Sequence, residues 1–151
     1  MIFNINHPKD FQAICIYLKK KYFINQTGSL IFFLNGNFGV GKTTFVKYLA
    51  KSLNIKETIT SASFNFYNIY SLLNNNLFIH ADFYKLESSN QHLVSEIFEY
   101  FTTNNNIIVI EWADKFKNYS DFILKNAIKI TISFKDNDPL KTRICQINDN
   151  H

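Results

Sequence analysis

At 151 residues, with 46% hydrophobic and 19% charged residues, the chain has the length and make-up of one globular domain. Two ordinary domains are excluded by length, and disorder through low hydrophobicity and high charge is excluded by composition. The net charge of +4 permits phosphate-bearing partners, but the lysines are dispersed along the sequence and Arg143 is the single arginine, so charge alone does not point to nucleic acid.

Helical spacing comes first in chain order: Phe11, Ile14, Cys15, Leu18 and Tyr22 form an i, i+3, i+4, i+7 stripe after Pro8 and Asp10. Gly28 and Ser29 break the chain, and residues 30–34 then form the continuous apolar run of a strand buried on both faces. A glycine-rich segment follows, and after it Phe45, Tyr48, Leu49 and Leu53 predict a second helix. Residues 58–77 carry no charge and include a predicted strand around 64–70. A further strand is expected over 77–80, ending at Ala81 and Asp82. Leu93, Ile97, Tyr100 and Phe101 predict a third helix, and Asn104, Asn105 and Asn106 a turn before a strand at 107–110. Residues 128–134 alternate as a strand with one solvated face, with 142–147 positioned to pair with it. No apolar run approaches the ~20 residues of a membrane span. The amino-terminal segment lacks the basic-then-apolar order of a secretory signal, so a cytoplasmic protein without membrane contact is expected. Cys15 and Cys145 fit no ligand spacing, and neither a disulfide nor a zinc site is expected.

Gly36-Asn37-Phe38-Gly39-Val40-Gly41-Lys42-Thr43 matches G-x-x-x-x-G-K-[ST], the phosphate-binding loop. The spacing has a physical cause. Consecutive backbone N–H groups must approach a polyphosphate closely, so side chains are unwelcome where the loop curls. The loop opens into a helix N-terminus, whose unpaired N–H groups favour an anion. Lys42 supplies a point charge to the β- and γ-phosphates, and the Thr43 hydroxyl can ligate Mg²⁺, with Thr44 beside it. The chain has four glycines, and three of them fall in this loop. With its apolar strand before and helical stripe after, the motif predicts nucleoside triphosphate binding. The fold expected for the whole chain, residues 1–151, is a single α/β domain of P-loop NTPase-like type: a mostly parallel, mixed sheet flanked by helices.

Glu111 directly follows the predicted strand 107–110, at the carboxyl end where open α/β sheets bind ligands. Asp82 lies just past the strand at 77–80 and can reach the same edge. One carboxylate is expected to help hold Mg²⁺ and the other to orient or deprotonate the attacking water, and the sequence does not divide those roles. Asp114 and Glu87 are expected on the solvated surface.

Four segments occur in order: Gly36-x-x-Gly39-x-Gly41-Lys42-Thr43-Thr44-Phe45; Thr60-Ser61-Ala62-Ser63-Phe64 with Tyr70; His80-Ala81-Asp82-Phe83-Tyr84-Lys85-Leu86; and Ile110-Glu111-Trp112. Over roughly residues 8–115 this series resembles the TsaE (YjeE) family of tRNA threonylcarbamoyladenosine biosynthesis. The sequence departs from the family pattern at Ala62 (proline), Ser63 (threonine) and Lys85 (arginine), and bulkier residues replace a glycine before Glu99. The resemblance implies a Mg²⁺-dependent ATPase, slow alone, that binds ATP/ADP and acts with TsaD and TsaB homologues at tRNA position 37, meeting tRNA through the complex. It further implies that Lys42 and Thr43 are phosphate and Mg²⁺ ligands, that Glu111 and Asp82 are the metal and catalytic carboxylates, and that Thr60, Ser61 and Ser63 lie in a nucleotide-sensitive switch. Trp112 is expected beside the site.

Two other readings use the same loop. A small kinase would clamp two sets of phosphates, commonly with several arginines, and the chain has only Arg143. A regulatory module would bind ATP with little turnover and order its loops around the γ-phosphate. No N-K-x-D segment is present to read guanine, which favours adenine.

Overall fold

The computed structural model describes residues 1–135 and 142–148. Its strands are β1 (Ile2–Ile5), β2 (Leu30–Asn35), β3 (Tyr67–Ser71), β4 (Leu77–Asp82), β5 (Ile107–Glu111), β6 (Ala127–Phe134) and β7 (Arg143–Asn148). They form one seven-stranded sheet in the order β1-β7-β6-β2-β5-β4-β3. The four inner strands β6, β2, β5 and β4 are parallel, while β3, β7 and β1 add antiparallel edges. β2 and β5 are apolar on both faces because both faces are covered, and each is buried along nearly its whole length.

The helices are α1 (Phe11–Leu18), which continues through a π-helical turn at Lys19–Phe23, α2 (Lys42–Ser52), α3 (Gln91–Thr102) and the short α4 (Asp121–Asn126). Alternation along the strands divides the core in two. Phe32, Leu34, Phe78, Val109 and Ile130 meet Ile14, Leu18, Phe45 and Leu49 of α1 and α2. Ile31, Phe33, Ile79, Ile108 and Ile110 face Val94 and Ile97 of α3 and Ile123 of α4. The expected mixed, mostly parallel α/β architecture is the observed one. No helix of the described residues is long and apolar enough to cross a membrane.

Three local features differ from the sequence expectations. The strand expected at 64–70 begins at Tyr67, because Phe66 turns the chain with a φ of +64° and its carbonyl accepts the Asp82 N–H at 2.8 Å. Phe64 accordingly stands 83% exposed rather than in the sheet. β1 was not anticipated: Ile5 is its one buried residue, which leaves no alternation to read. α4 also went unread. Its six residues span less than two turns, and its start is marked by Ser120, whose hydroxyl accepts the Ile123 N–H.

Candidate phosphate-binding site

The glycine-rich loop leaves the carboxyl end of β2 and enters α2. Gly36 has φ +147°, and a Cβ there would lie 2.2 Å from the Ile132 carbonyl oxygen, so the loop passes too close to β6 for any side chain. Gly41, the N-cap of α2, has φ +104° and provides no side-chain cap. The N–H groups of the first turn, which have no partner within the helix, are thus left uncapped by a side chain where the loop meets α2. Lys42 is 5% exposed, and its Nζ donates to the carbonyls of Gly36 (2.7 Å) and Asn37 (2.9 Å).

Strand register brings the two acids to the same edge. In the parallel ladder Glu111 pairs with Leu34 on one side and with Asp82 on the other, so the ends of β2, β5 and β4 form one row beside the loop. Both carboxylates project to the α2 side of the sheet, two residues on from Val109 and His80. The Thr43 hydroxyl donates to Oε1 of Glu111 at 2.8 Å, tying the start of α2 to the end of β5. Asp82 accepts the Ser63 hydroxyl on Oδ2 (2.5 Å) and the Tyr84 N–H on Oδ1 (2.9 Å).

Phe38, Gly39, Gly41, Lys42, Thr43, Thr44, Ser63, Asp82, Glu111 and Trp112 together line a cleft of about 330 Å³. Other residues singled out in the sequence lie off it. Val40 is buried in the α1/α2 core, and Asn37 is exposed, contributing its carbonyl to Lys42. Of the expected switch residues Ser63 alone lines the cleft. Ser61 braces Ser63 at 2.9 Å, while the Thr60 N–H donates to the Tyr70 hydroxyl at 3.2 Å, away from the acids. Asp114 and Glu87 are exposed, as expected.

The structure gives contacts to residues that the motifs contained but to which, Trp112 and Phe38 apart, the sequence assigned no role. His80 is fully buried, with Nε2 2.8 Å from Oε1 of Glu111. Its period-two relation to Asp82 was the available signal. Each of the three segments around Lys42, Asp82 and Glu111 also supplies an aromatic ring. Phe38, Tyr84 and Trp112 touch one another at centroid distances of 4.5, 5.0 and 5.1 Å, and Lys42 Nζ lies 4.0 Å from the Trp112 ring centre.

Burial pushes the Lys42 ammonium below the usual lysine range, and the charges of Glu111, Asp82 and Asp114 oppose that effect. Among the described residues no three His, Cys, Asp or Glu side chains gather into a metal cage. The donor set is instead one hydroxyl backed by carboxylates, which suits a hard cation that keeps its waters and shares phosphate oxygens. Cys15 and Cys145 are buried free thiols, each pushed up to about 12 by desolvation.

Against known proteins, the family described as Threonylcarbamoyl adenosine biosynthesis protein TsaE matches residues 5–144, which extends the likeness past the 8–115 legible from motifs and takes in β6. The chain is 32% identical over 118 residues to the tRNA threonylcarbamoyladenosine biosynthesis protein TsaE of Rickettsia typhi, covering 78% of this chain and 76% of that one. It is 33% identical over 120 residues to the protein of the same name from Aquifex aeolicus, covering 78% and 77%. Among solved structures, the crystal structure of Bacillus subtilis YdiB superposes with a TM-score of 0.69 at 19% identity, over all of this chain and 86% of that one, a likeness of fold. The chain belongs to the TsaE family of tRNA threonylcarbamoyladenosine biosynthesis.

Proposed function

We propose that this protein is a Mg²⁺-dependent ATP hydrolase that acts with TsaD and TsaB homologues in threonylcarbamoyl modification of tRNA position 37. The observation that carries the reading is the Thr43–Glu111 hydrogen bond beside Lys42 at the head of α2. A threonine hydroxyl that donates to a carboxylate keeps its lone pairs free for a cation, so the residues present fit MgATP. Bound Mg²⁺ would neutralise charge on the β- and γ-phosphate oxygens.

The chain's own groups then take separate roles. Lys42 exchanges its bonds to the Gly36 and Asn37 carbonyls for phosphate oxygens, and the free N–H groups of α2 hold the same anion. Glu111, bonded to Thr43, orients the cation's ligands. Asp82, held by Ser63 and the Tyr84 N–H, keeps its carboxylate at the cleft to orient the attacking water. The bond between Ser63 and Asp82 is the means by which the 60–63 segment can sense the γ-phosphate.

Release of phosphate from MgATP, measured alone and with the TsaD and TsaB homologues of the same organism, tests this reading. Slow turnover alone and a clear rise with the partners are expected. Binding without turnover under both conditions would favour a nucleotide switch, and transfer to a small acceptor would favour a kinase. Either Glu111→Ala or Asp82→Ala should lower turnover by roughly 10²-fold while leaving ADP affinity within a few-fold. Wild-type rates in both variants would overturn the carboxylate roles.

A further inference from the structure

His80 sits in the middle of β4 with no exposed surface, paired across the ladder with Val109 of β5 and Asn68 of β3. Its Nε2 lies 2.8 Å from Oε1 of Glu111, the same oxygen that accepts the Thr43 hydroxyl at 2.8 Å. Its Nδ1 is buried and has no partner among the described residues. These facts assign the tautomer. A carboxylate oxygen at this distance needs a proton between it and Nε2, because two facing lone pairs would repel. Nδ1 has no acceptor within reach, so any proton on it would be an orphaned buried N–H; a bare Nδ1 acceptor is the more tolerable arrangement.

From this arrangement we propose that His80 is a positioning residue for the nucleotide site: its Nε2–H and the Thr43 hydroxyl together pin Oε1 of Glu111, leaving Oε2 as the oxygen offered to the cation and its waters. The inference rests on the reading of Glu111 given under Proposed function. Thr43 alone could not fix the carboxylate, since it belongs to a loop-proximal turn that must also meet phosphate. His80 comes from the sheet, where ladders to β3 and β5 hold its backbone on both sides. Two donors on one oxygen, one from α2 and one from β4, define the carboxylate plane far better than either alone. An ordinary core residue at this place would need only volume, which Phe or Leu would supply without a donor.

Two measurements test the role. In protein labelled with ¹⁵N at histidine, His80 should show a protonated Nε2 and an unprotonated Nδ1, and the Nε2 signal should shift on Glu111→Gln. A His80 protonated at Nδ1 instead would overturn the assignment. The second measurement compares His80→Gln, whose amide can reach the Nε2 position, with His80→Phe, which fills the volume without a donor; thermal unfolding checks that both fold. The readout is the enhancement of ADP affinity by Mg²⁺, from calorimetry with and without the cation. The Phe variant should lose roughly tenfold of that enhancement while binding metal-free ADP as the parent does, and the Gln variant should recover most of it. Full enhancement in the Phe variant, or equal loss in both, would overturn the positioning role. If the parent protein itself gains nothing from Mg²⁺, the reading of the site as MgATP-binding falls, whereas normal enhancement in the parent and in both variants sinks the role of His80 alone.

Discussion

Lys42 must stay charged where burial disfavours charge, and that conflict has a measurable pH signature. The unfolded chain keeps this proton up to the ordinary lysine value of 10.5, whereas the folded chain releases it at lower pH. Between those points the folded state binds fewer protons, so the stability of the ligand-free protein contributed by this group rises with pH. Nucleotide binding runs in the opposite direction, because phosphate favours the ammonium. ADP affinity should therefore begin to fall on the alkaline side before 10.5, and the fall should be absent in Lys42→Ala, whose affinity is already reduced by tenfold or more at pH 7; titration calorimetry from pH 7 to 10 checks both. Gly36 makes the other residue-scale prediction. Its positive φ and the 2.2 Å approach to the Ile132 carbonyl leave no room for alanine, so Gly36→Ala should lower the urea-unfolding free energy by about 1–3 kcal/mol and weaken ADP binding as well.

At the level of elements, the site exists because three parallel strands end in register. β2 delivers the loop, β5 delivers Glu111 and β4 delivers Asp82, and a one-residue slip in either ladder would turn a carboxylate to the α3 side. Much of this was legible in the sequence. Residues 30–34 and 107–110 are apolar throughout, which marks central strands, and the loop motif follows one of them directly. The edges were less legible: β1 exposes most of its residues, and the 60–66 segment is held by side-chain bonds and a positive φ that no periodicity encodes. His80 stands in a quoted segment, but its role was not legible for a related reason, since a polar residue inside an apolar strand declares its partner only when the neighbouring strand is placed beside it. α2 is fixed from below by Phe45, fully buried and edge-on to Phe11 at 5.7 Å. Truncation by Phe45→Ala should cost about 3–5 kcal/mol in urea unfolding, because neither the sheet nor α1 can close on the space.

Across the whole molecule, folding gathers some of the lysines. Residues 11–56, which build α1 and α2, include Lys19, Lys20, Lys21, Lys42, Lys47, Lys51 and Lys56 and no carboxylate. On the other side of the sheet α3 carries Glu96 and Glu99 and no lysine, while α4 carries one charge of each sign, Asp121 and Lys125. Folding joins the cationic segments: Lys19 Nζ donates to the Ser52 carbonyl at 2.7 Å, beside Lys51, and Lys47 lies one turn away on α2. Lys19, Lys47 and Lys51, dispersed along the chain, thus come close together. Such asymmetry raises affinity for polyanions in a salt-dependent way. The protein should be retained by heparin at low salt, and the double variant Lys47→Glu, Lys51→Glu should elute at clearly lower salt while binding ADP as before, since neither side chain lines the cleft.

The meeting of Phe38, Tyr84 and Trp112 gives the protein a built-in optical probe. The chain has one tryptophan, and its indole lies 4.0 Å from the ammonium that is proposed to turn to phosphate. Its emission therefore comes from this corner and from nowhere else. Movement of the charge, or separation of the rings, should alter intensity and wavelength without any added dye. Nucleotide binding at this corner can thus be followed in real time in the unlabelled protein.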